Sequence, residues 1–125
     1  MSRLMSVAFT EAAVVARTKT VTRRKGWLML KPGDTLTLCR KVMGRKKGEP
    51  LVRIAEVQVV SVRRERLIAL RAADYGRDEM RREGFPGMTA DDFVRKYFTE
   101  AQGIGLWDEV TRIQWRYLDS PDGAA

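Results

Sequence analysis

Hydrophobic and polar residues alternate with a period of two in several parts of this chain, a pattern typical of β-strands that bury one face. The alternation is clear over residues 35–42, where Leu36 and Leu38 share one face. The segment 51–62 alternates as well but changes phase near Ala55, which predicts a β-bulge. The predicted strands cover residues 4–9, 35–42, 51–62 and 110–118.

Helical segments are predicted between these strands. Thr10 is a candidate N-cap for a short helix over residues 11–16. The period of two is lost at about residue 67, and residues 67–82 are predicted to be helical, wholly or in part, up to the breaker that begins at Gly84. Thr89 is a second candidate N-cap, because two aspartates follow it in the first turn of the predicted helix.

The order of these elements predicts a single domain over residues 1–125, with residues 118–125 as a frayed tail. The Pro-Gly pair within Lys31-Pro32-Gly33-Asp34 is typical of a type II turn, and residues 44–50 form a polar hairpin loop. The sequence contains neither a repeat nor a linker. We therefore expect a small α+β barrel of about five mostly antiparallel strands with two or three inserted helices.

Composition excludes several kinds of chemistry. The chain has no histidine, which removes the commonest general base and the commonest zinc ligand. Its single cysteine, Cys39, excludes an internal disulfide and a cysteine metal cluster. No segment has the length of a membrane span, and no signal peptide is evident. We expect a cytoplasmic protein with no metal and no cofactor, and no membrane partner.

The positive charge of the chain is concentrated in one part of the sequence. The net charge is +8. Residues 1–71 carry 17 Lys or Arg and 5 Asp or Glu, whereas residues 72–125 carry 7 and 11. This asymmetry favours a surface that binds a polyanion such as a nucleic acid.

The segment 17–27 is the strongest candidate site. It contains five cations, three threonines and a tryptophan, and no acid occurs between Glu11 and Asp34. Cations attract phosphate, hydroxyl groups donate hydrogen bonds to it, and an indole ring offers a face on which a base can stack. The candidate nucleic-acid-binding residues here are Arg17, Lys19, Arg23, Arg24, Lys25 and Trp27.

The hairpin 44–50 supplies Arg45 and Lys46 as further candidates for contact with nucleic acid. A solvated hairpin tip that only adds nonspecific attraction is the alternative for this pair. Trp27 is as well explained by core packing as by stacking.

Three features resemble the ASCH domain family, which has a PUA-like β-barrel fold and is associated with RNA binding and processing. They are Lys19-Thr20-Val21-Thr22-Arg23-Arg24 after a short helix, Pro32-Gly33-Asp34 before a strand, and Glu83-Gly84-Phe85. The resemblance extends from about Phe9 to Tyr117. It implies a PUA-like barrel whose basic cleft binds RNA or a nucleotide-bearing ligand, with DNA as an alternative.

One bacterial branch of this family hydrolyses the acetyl amide of N4-acetylcytidine, and the resemblance implies Lys19, Thr22 and Glu83 as catalytic residues. The chemistry is coherent, because a lysine with a lowered pKa can deprotonate a threonine hydroxyl. Glu83 could position water or carry a proton to the leaving amine. Residues three apart in a strand point to opposite faces, so Lys19 and Thr22 can cooperate only on a loop or turn.

Four functions are therefore open on the sequence alone, and one of them is a purely structural interaction module with no affinity for nucleic acid at moderate salt. The first is binding of RNA or a modified nucleoside or nucleotide without chemistry, and the second is amide hydrolysis by Lys19, Thr22 and Glu83. The third is ribonuclease activity, which the absence of histidine disfavours. Glu83 could also do no more than pair with neighbouring arginines.

Overall fold

A five-stranded sheet forms the body of the protein in the computed structural model, which describes residues 2–118. The sheet curls into a half-barrel. Its strands follow the order β1-β3-β4-β5-β2, with β1 parallel to β3 and the other neighbours antiparallel. The prediction of a small α+β PUA-like barrel is confirmed. The strands are β1 (Arg3–Ser6), β2 (Val21–Arg24), β3 (Thr35–Cys39), β4 (Arg53–Arg66) and β5 (Glu109–Tyr117).

The helical elements lie in the connections between strands. The α-helices are α1 (Glu11–Val15), α2 (Ala73–Glu83), α3 (Ala90–Val94) and α4 (Glu100–Gln102). Two 3₁₀ turns, Ala8–Thr10 and Leu67–Arg71, and a π-helical turn, Arg95–Thr99, complete the set. In the described part of the chain, no helix combines the length and the apolar character that crossing a bilayer requires.

The strands predicted from the period-two pattern are present, but their first and last residues differ from the predicted ones. β3 ends at Cys39, earlier than predicted, and β4 begins at Arg53 and continues to Arg66. The first predicted strand is shorter than expected because the chain turns into a 3₁₀ turn at Ala8. The predicted turn before β3 is present, with Gly33 at φ 95°. Residues 119–125 of the predicted tail lie outside the described residues.

Two irregularities of register curve the sheet. Leu38 pairs with Ala55 and Cys39 pairs with Arg53, so Ile54 has no partner in β3. This irregularity lies where the phase change predicted a bulge. A second shift, between Val59 and Ser61 where β4 pairs with β5, was not predicted. Bulges increase the local twist, and this twist helps a five-stranded sheet to curl.

The predicted helix 67–82 is divided in two. Leu67–Arg71 forms a 3₁₀ turn, Ala72 is extended, and α2 begins at Ala73. Gly84 ends α2 in a left-handed conformation, as the breaker predicted. The predicted N-cap of α3 is confirmed, since Thr89 Oγ1 accepts a hydrogen bond of 3.1 Å from the backbone N–H of Asp92.

Two hydrophobic clusters stabilise this arrangement. One is built mainly from β-strand residues such as Leu36, Val57 and Ile113. The other packs α2 and α3 against the start of β5, through residues such as Met80 and Phe93. The candidate site lies where these two clusters meet.

Gly76 is a site where substitution by alanine should destabilise the protein. In an ordinary helix this change stabilises by about 1 kcal/mol. Here a Cβ on Gly76 would lie 2.1 Å from the carbonyl oxygen of Leu70, a backbone atom that cannot rotate away. We therefore expect Gly76→Ala to lower the free energy of unfolding by about 1–3 kcal/mol in urea titrations. Gly87→Ala is the control, because nothing lies within 4 Å of its Cβ position; equal stability of the two variants would contradict the prediction.

Candidate active site

A cavity of about 180 Å³ opens between the two edge strands of the half-barrel. The ends of β1 and β2 approach each other here, and Arg24 bridges them by donating from Nη2 to the carbonyl oxygen of Ser6 at 2.7 Å. The last residue of α2 and a group of aromatic side chains close the remaining sides. The polar lining includes Lys19, Thr22, Arg23, Arg24 and Glu83.

Lys19 lies in the segment that leads into β2 and not in the strand itself. This position removes the geometric objection to its cooperation with Thr22, because the alternation of a strand does not apply to it. Its carbonyl oxygen accepts hydrogen bonds from Trp115 Nε1 at 3.0 Å and from the hydroxyl of Tyr117 at 2.5 Å. Its Nζ donates to the carbonyl oxygen of Glu83 at 2.6 Å and to Glu83 Oε1 at 3.3 Å.

Glu83 is held at the cavity by the end of α2. The backbone N–H of Thr20 donates to the carbonyl oxygen of Arg82 at 2.8 Å, which ties this helix end to the segment containing Lys19. Gly84 then turns the chain with φ 94°, and a Cβ at this position would lie 3.0 Å from Ala13. The close approach of α1 thus requires glycine directly after Glu83.

Thr22 lies in β2 and faces the cavity with only 3% of its surface exposed. Its Oγ1 accepts a hydrogen bond of 3.2 Å from Arg24 Nε. The cavity therefore brings together a hydroxyl group, an amine, a carboxylate and a guanidinium group. The first three are the groups that the family resemblance implies for amide hydrolysis, on Thr22, Lys19 and Glu83.

Arg23 is buried, and its guanidinium group is bonded to three carboxylates. Nε donates to Glu65 at 2.9 Å, Nη1 to Glu83 at 3.0 Å and Nη2 to Glu79 at 2.5 Å. Its side chain is 0% exposed. All three nitrogens of this group donate to partners inside the protein, and the contact of Arg23 with phosphate stays a prediction. In the structure Arg23 positions the Glu83 carboxylate.

The buried charges continue beyond Arg23. Arg112 donates to Glu79 from Nε at 2.6 Å and from Nη2 at 3.1 Å. Tyr75 contributes a hydroxyl that accepts from Arg23 Nη2 at 3.2 Å and donates to Glu65. Among the described residues, no buried side-chain nitrogen or oxygen is without a hydrogen-bond partner. A satisfied network of this kind holds its members in one geometry.

Burial shifts the pKa values of the site residues. Burial lowers the pKa of Lys19 below its usual value; the charge of Glu83 opposes this shift and that of Arg24 adds to it. Burial also lowers the pKa of Arg24. For Glu79, burial alone would raise the pKa, but the hydrogen bond from Arg112 and the charge of Arg23 lower it to about 2. Burial thus makes the neutral form of the Lys19 amine more accessible.

Aromatic side chains form the apolar wall of the cavity. Phe85 stacks on Tyr97 with ring centroids 5.0 Å apart, and Phe93 lies 5.7 Å from Tyr97. The ring centroid of Phe9 lies 5.3 Å from that of Tyr97, and Phe9 is 78% exposed. A large exposed aromatic ring beside an aromatic-lined cavity can contact a planar ligand, since bases stack on such rings.

The other predicted nucleic-acid-binding residues do not lie in the cavity. Lys25 and Trp27 line an open groove next to the cavity. The guanidinium group of Arg17 lies over the ring of Tyr117 and donates to the carbonyl oxygen of Val14, and Arg17 lines neither hollow.

Arg45 and Lys46 are exposed in the β3–β4 connection and also line neither hollow. The Nε of Arg45 donates to the carbonyl oxygen of Val42 at 3.1 Å. The structure therefore brings the cavity residues together but leaves this hairpin apart from them.

The sequence did not indicate Glu65 and Glu79, which bind Arg23 together with Glu83, or the two rings that fix Lys19. Glu79 and Glu83 are four residues apart, which places them on one face of a helix, and this spacing is a signal that could have found Glu79. Trp115 belongs to the core cluster of the sheet. Nothing in the local sequence indicates that its indole N–H binds the carbonyl oxygen of Lys19. Within residues 2–118, no group of His, Cys, Asp and Glu is placed to hold a metal ion.

Comparisons with known proteins define the class of fold. No family model matches the sequence, and no curated protein matches it at a significant level. Solved structures do match. An ASCH protein from Zymomonas mobilis superposes with a TM-score of 0.58 at 16% identity, covering 90% of this chain and 65% of the other. The chain thus spans about two thirds of the Zymomonas protein.

Two further structures agree. An ASCH domain from Lactobacillus crispatus has a TM-score of 0.58 at 10% identity, covering 93% of this chain and 80% of the other. A protein from Pyrococcus furiosus has a TM-score of 0.55 at 16% identity, covering 96% of this chain and all of the other. The chain therefore has the fold of an ASCH domain, as the resemblance predicted.

Proposed function

We propose that this protein is an ASCH domain amidohydrolase that binds an N4-acylated cytosine base in the cavity and hydrolyses its acyl amide. The observation that carries the proposal is the meeting of Lys19, Thr22 and Glu83 at the wall of one cavity. Lys19 and Thr22 come from one segment and Glu83 lies 64 residues after Lys19 in the chain. These residues are the ones that the family resemblance assigns to this reaction.

Neutral Lys19 begins the reaction by taking the proton of Thr22 as Oγ bonds to the acyl carbon. The developing negative charge falls on the acyl oxygen, close to Arg24 Nε, which lies 3.2 Å from Thr22 Oγ1 and can donate to that oxygen. The carbon–nitrogen bond then breaks. The exocyclic nitrogen of cytosine leaves with the proton from Lys19, passed directly or through Glu83.

The second half of the reaction restores the enzyme. Water loses a proton to Lys19 and attacks the ester formed on Thr22, with Glu83 positioned to orient the water molecule. The carboxylic acid is released, and Thr22 regains its hydroxyl proton. Each cycle therefore consumes one water molecule and yields one free cytosine amine and one acid.

The size of the cavity fits a single base. Pockets for drug-sized ligands occupy ~300–1,000 Å³, whereas this cavity measures about 180 Å³. A pyrimidine ring with a small acyl group suits such a volume better than a complete nucleotide. The aromatic wall around Tyr97 supplies the stacking surface for that ring.

The test is to incubate the protein with N4-acetylcytidine and to follow cytidine and acetate by NMR. The proposal predicts that both products appear in equal amounts at a rate proportional to protein concentration. No product above the protein-free background, even at high protein concentration, would overturn it.

Binding without chemistry is a second candidate function. Nζ of Lys19 already has two acceptors on Glu83, an arrangement that suits a protonated amine. A protonated Lys19 would hold a modified base but would not activate Thr22. This candidate predicts that N4-acetylcytidine binds and is recovered intact.

The rate of hydrolysis should rise with pH through the lowered pKa of Lys19. The reaction uses the neutral amine, and the neutral fraction grows as pH rises. Because the folded-state pKa lies below the ordinary value of 10.5, the rise should be centred below that value. kcat/KM measured from about pH 6 to about pH 11 checks this. A rise centred at or above the ordinary lysine value would contradict the role of Lys19, and Lys19→Arg should abolish the rise.

A further inference from the structure

Gln102 lies at the cavity and has no part in the reaction proposed for Lys19, Thr22 and Glu83. It is the last residue of α4, and its side chain belongs to the cavity lining. Among the described residues that line the cavity, it is the one carboxamide. A carboxamide offers an N–H donor and an oxygen acceptor side by side, so it can recognise a ligand edge that carries both kinds of group.

One hydrogen bond sets the orientation of this amide. Nε2 of Gln102 donates to the carbonyl oxygen of Tyr97 at 2.9 Å. Because a carbonyl oxygen only accepts, the nitrogen of the amide and not its oxygen must face Tyr97. Among the described residues, none donates to Oε1 of Gln102. Oε1 and the second N–H of Nε2 can therefore bind a ligand without breaking a bond inside the protein.

The backbone around Gln102 is held in one conformation. The π-helical turn Arg95–Thr99 precedes α4, and such turns are frequent at functional sites. Gly103 ends α4 with φ 69°, and its N–H donates to the carbonyl oxygen of Thr99 at 3.0 Å. The π-helical turn also supplies the ring of Tyr97, which stacks on Phe85 in the cavity wall. One short stretch of chain thus carries a ring that suits the face of a base and an amide that suits its edge.

An N4-acylated cytosine has an edge that matches the free groups of Gln102. Its ring nitrogen N3 is an acceptor, and the adjacent N4–H is a donor. Glutamine binds the same pattern on adenine, N7 beside the N6 amine, through two hydrogen bonds. Uracil presents the reverse order, N3–H beside O4, and the bond to Tyr97 opposes the turning of the amide that would be needed to match it.

We infer that Gln102 recognises the edge of the acylated base, with Nε2 donating to N3 and Oε1 accepting from N4–H. The inference rests on the proposed function, because the base must occupy the cavity. The substrate class that follows is the secondary amide of an exocyclic amine beside an unsubstituted ring nitrogen. A site that hydrogen-bonds both groups rejects an analogue that lacks one of them, because a polar group is then left unpaired.

Two analogues of N4-acetylcytidine test the two hydrogen bonds separately. In the 3-deaza analogue a C–H group replaces N3, and in the N4-methyl analogue a methyl group replaces the hydrogen on N4. Binding is measured by isothermal titration calorimetry on the Thr22→Ala variant, so that the result does not depend on turnover. Each analogue should bind at least about fivefold more weakly than N4-acetylcytidine.

Removing the amide should remove the discrimination between these ligands. Adding Gln102→Ala to the Thr22→Ala variant should weaken binding of N4-acetylcytidine at least about fivefold. The three ligands should then bind within about twofold of one another, because the group that tells them apart is absent. Gln58→Ala is the matched control, since Nε2 of Gln58 also donates to a backbone carbonyl oxygen, that of Gly33 at 3.3 Å, and Gln58 lines neither hollow. This control should keep the discrimination.

The outcomes separate this inference from the proposed function. Discrimination that depends on Gln102, without turnover by the wild-type protein, would sustain the inference about recognition and remove the hydrolase. Turnover by the wild-type protein together with the same discrimination in the Gln102→Ala and Gln58→Ala variants would overturn the inference and leave the hydrolase. Equal binding of the three ligands to the Thr22→Ala variant would also overturn the inference. If the protein neither binds nor hydrolyses N4-acetylcytidine, both fail.

Discussion

Replacing Thr22 with alanine should lower kcat for deacylation of N4-acetylcytidine by at least about 10³-fold, because the proposed nucleophile is removed. The fold should persist. Thr22 loses one hydrogen bond, the one accepted from Arg24 Nε at 3.2 Å. Such a loss costs about 1 kcal/mol of the free energy of unfolding. Product formation measured by NMR and urea denaturation of the same preparation separate the two effects.

Thr22→Ser is the matched control, because serine keeps the hydroxyl group and loses only a methyl group. It should retain measurable turnover with the same products. If Thr22→Ala hydrolysed the substrate as fast as the wild-type protein, the hydroxyl would not be the nucleophile. The remaining candidate would then be a water molecule activated by Lys19 or Glu83.

Replacing Arg23 with alanine should cause the largest loss of stability at the site. The guanidinium group neutralises Glu65, Glu79 and Glu83, and its side chain is 0% exposed. Removing one partner of a buried ionic network leaves charges without compensation, which costs about 3–5 kcal/mol. The variant should unfold at a much lower urea concentration than the wild-type protein.

Arg95→Ala is the control for this prediction. Arg95 also pairs with two carboxylates, those of Asp92 and Glu100, but it lies on the surface with 58% of its side chain exposed. Solvent screens such pairs, so the unfolding midpoint should hardly move. Similar midpoints for the Arg23 and Arg95 variants would show that the buried network does not stabilise the fold.

The sequence predicted the strands in which apolar and polar residue types alternate. β3 alternates threonine with leucine, and β5 alternates from Ile113 to Tyr117. β2 was not predicted, because Val21 is its one apolar residue and no alternation marks the strand. The burial of Arg23 was not predicted either, since two adjacent arginines argue against burial when no partner is visible.

The partners of Arg23 explain why its role could not be predicted. Its carboxylates come from β4 and from α2, at sequence separations of 42 and 60 residues for Glu65 and Glu83. The local composition shows a run of cations, which suggests that Arg23 binds phosphate. Only the topology that places β4 and α2 against β2 shows that carboxylates from the same chain neutralise this arginine.

The catalytic candidates were predicted through the family resemblance and not through the hydrophobic pattern. The alternation of a strand even argued against cooperation of Lys19 with Thr22, because side chains three residues apart in a strand point to opposite faces. The structure shows why they meet, because β2 begins at Val21 and Lys19 precedes it. Glu83 joins them because Gly84 ends α2 at that point.

The central claim is that an acylated base occupies the cavity between Lys19, Thr22 and Glu83. A crystal structure of Thr22→Ala with N4-acetylcytidine tests it most directly. The account predicts the pyrimidine ring against the aromatic wall, with the acyl carbon within about 3.5 Å of where the missing Oγ would lie. A ring bound elsewhere, or an acyl group turned away from residues 19, 22 and 83, would contradict the account.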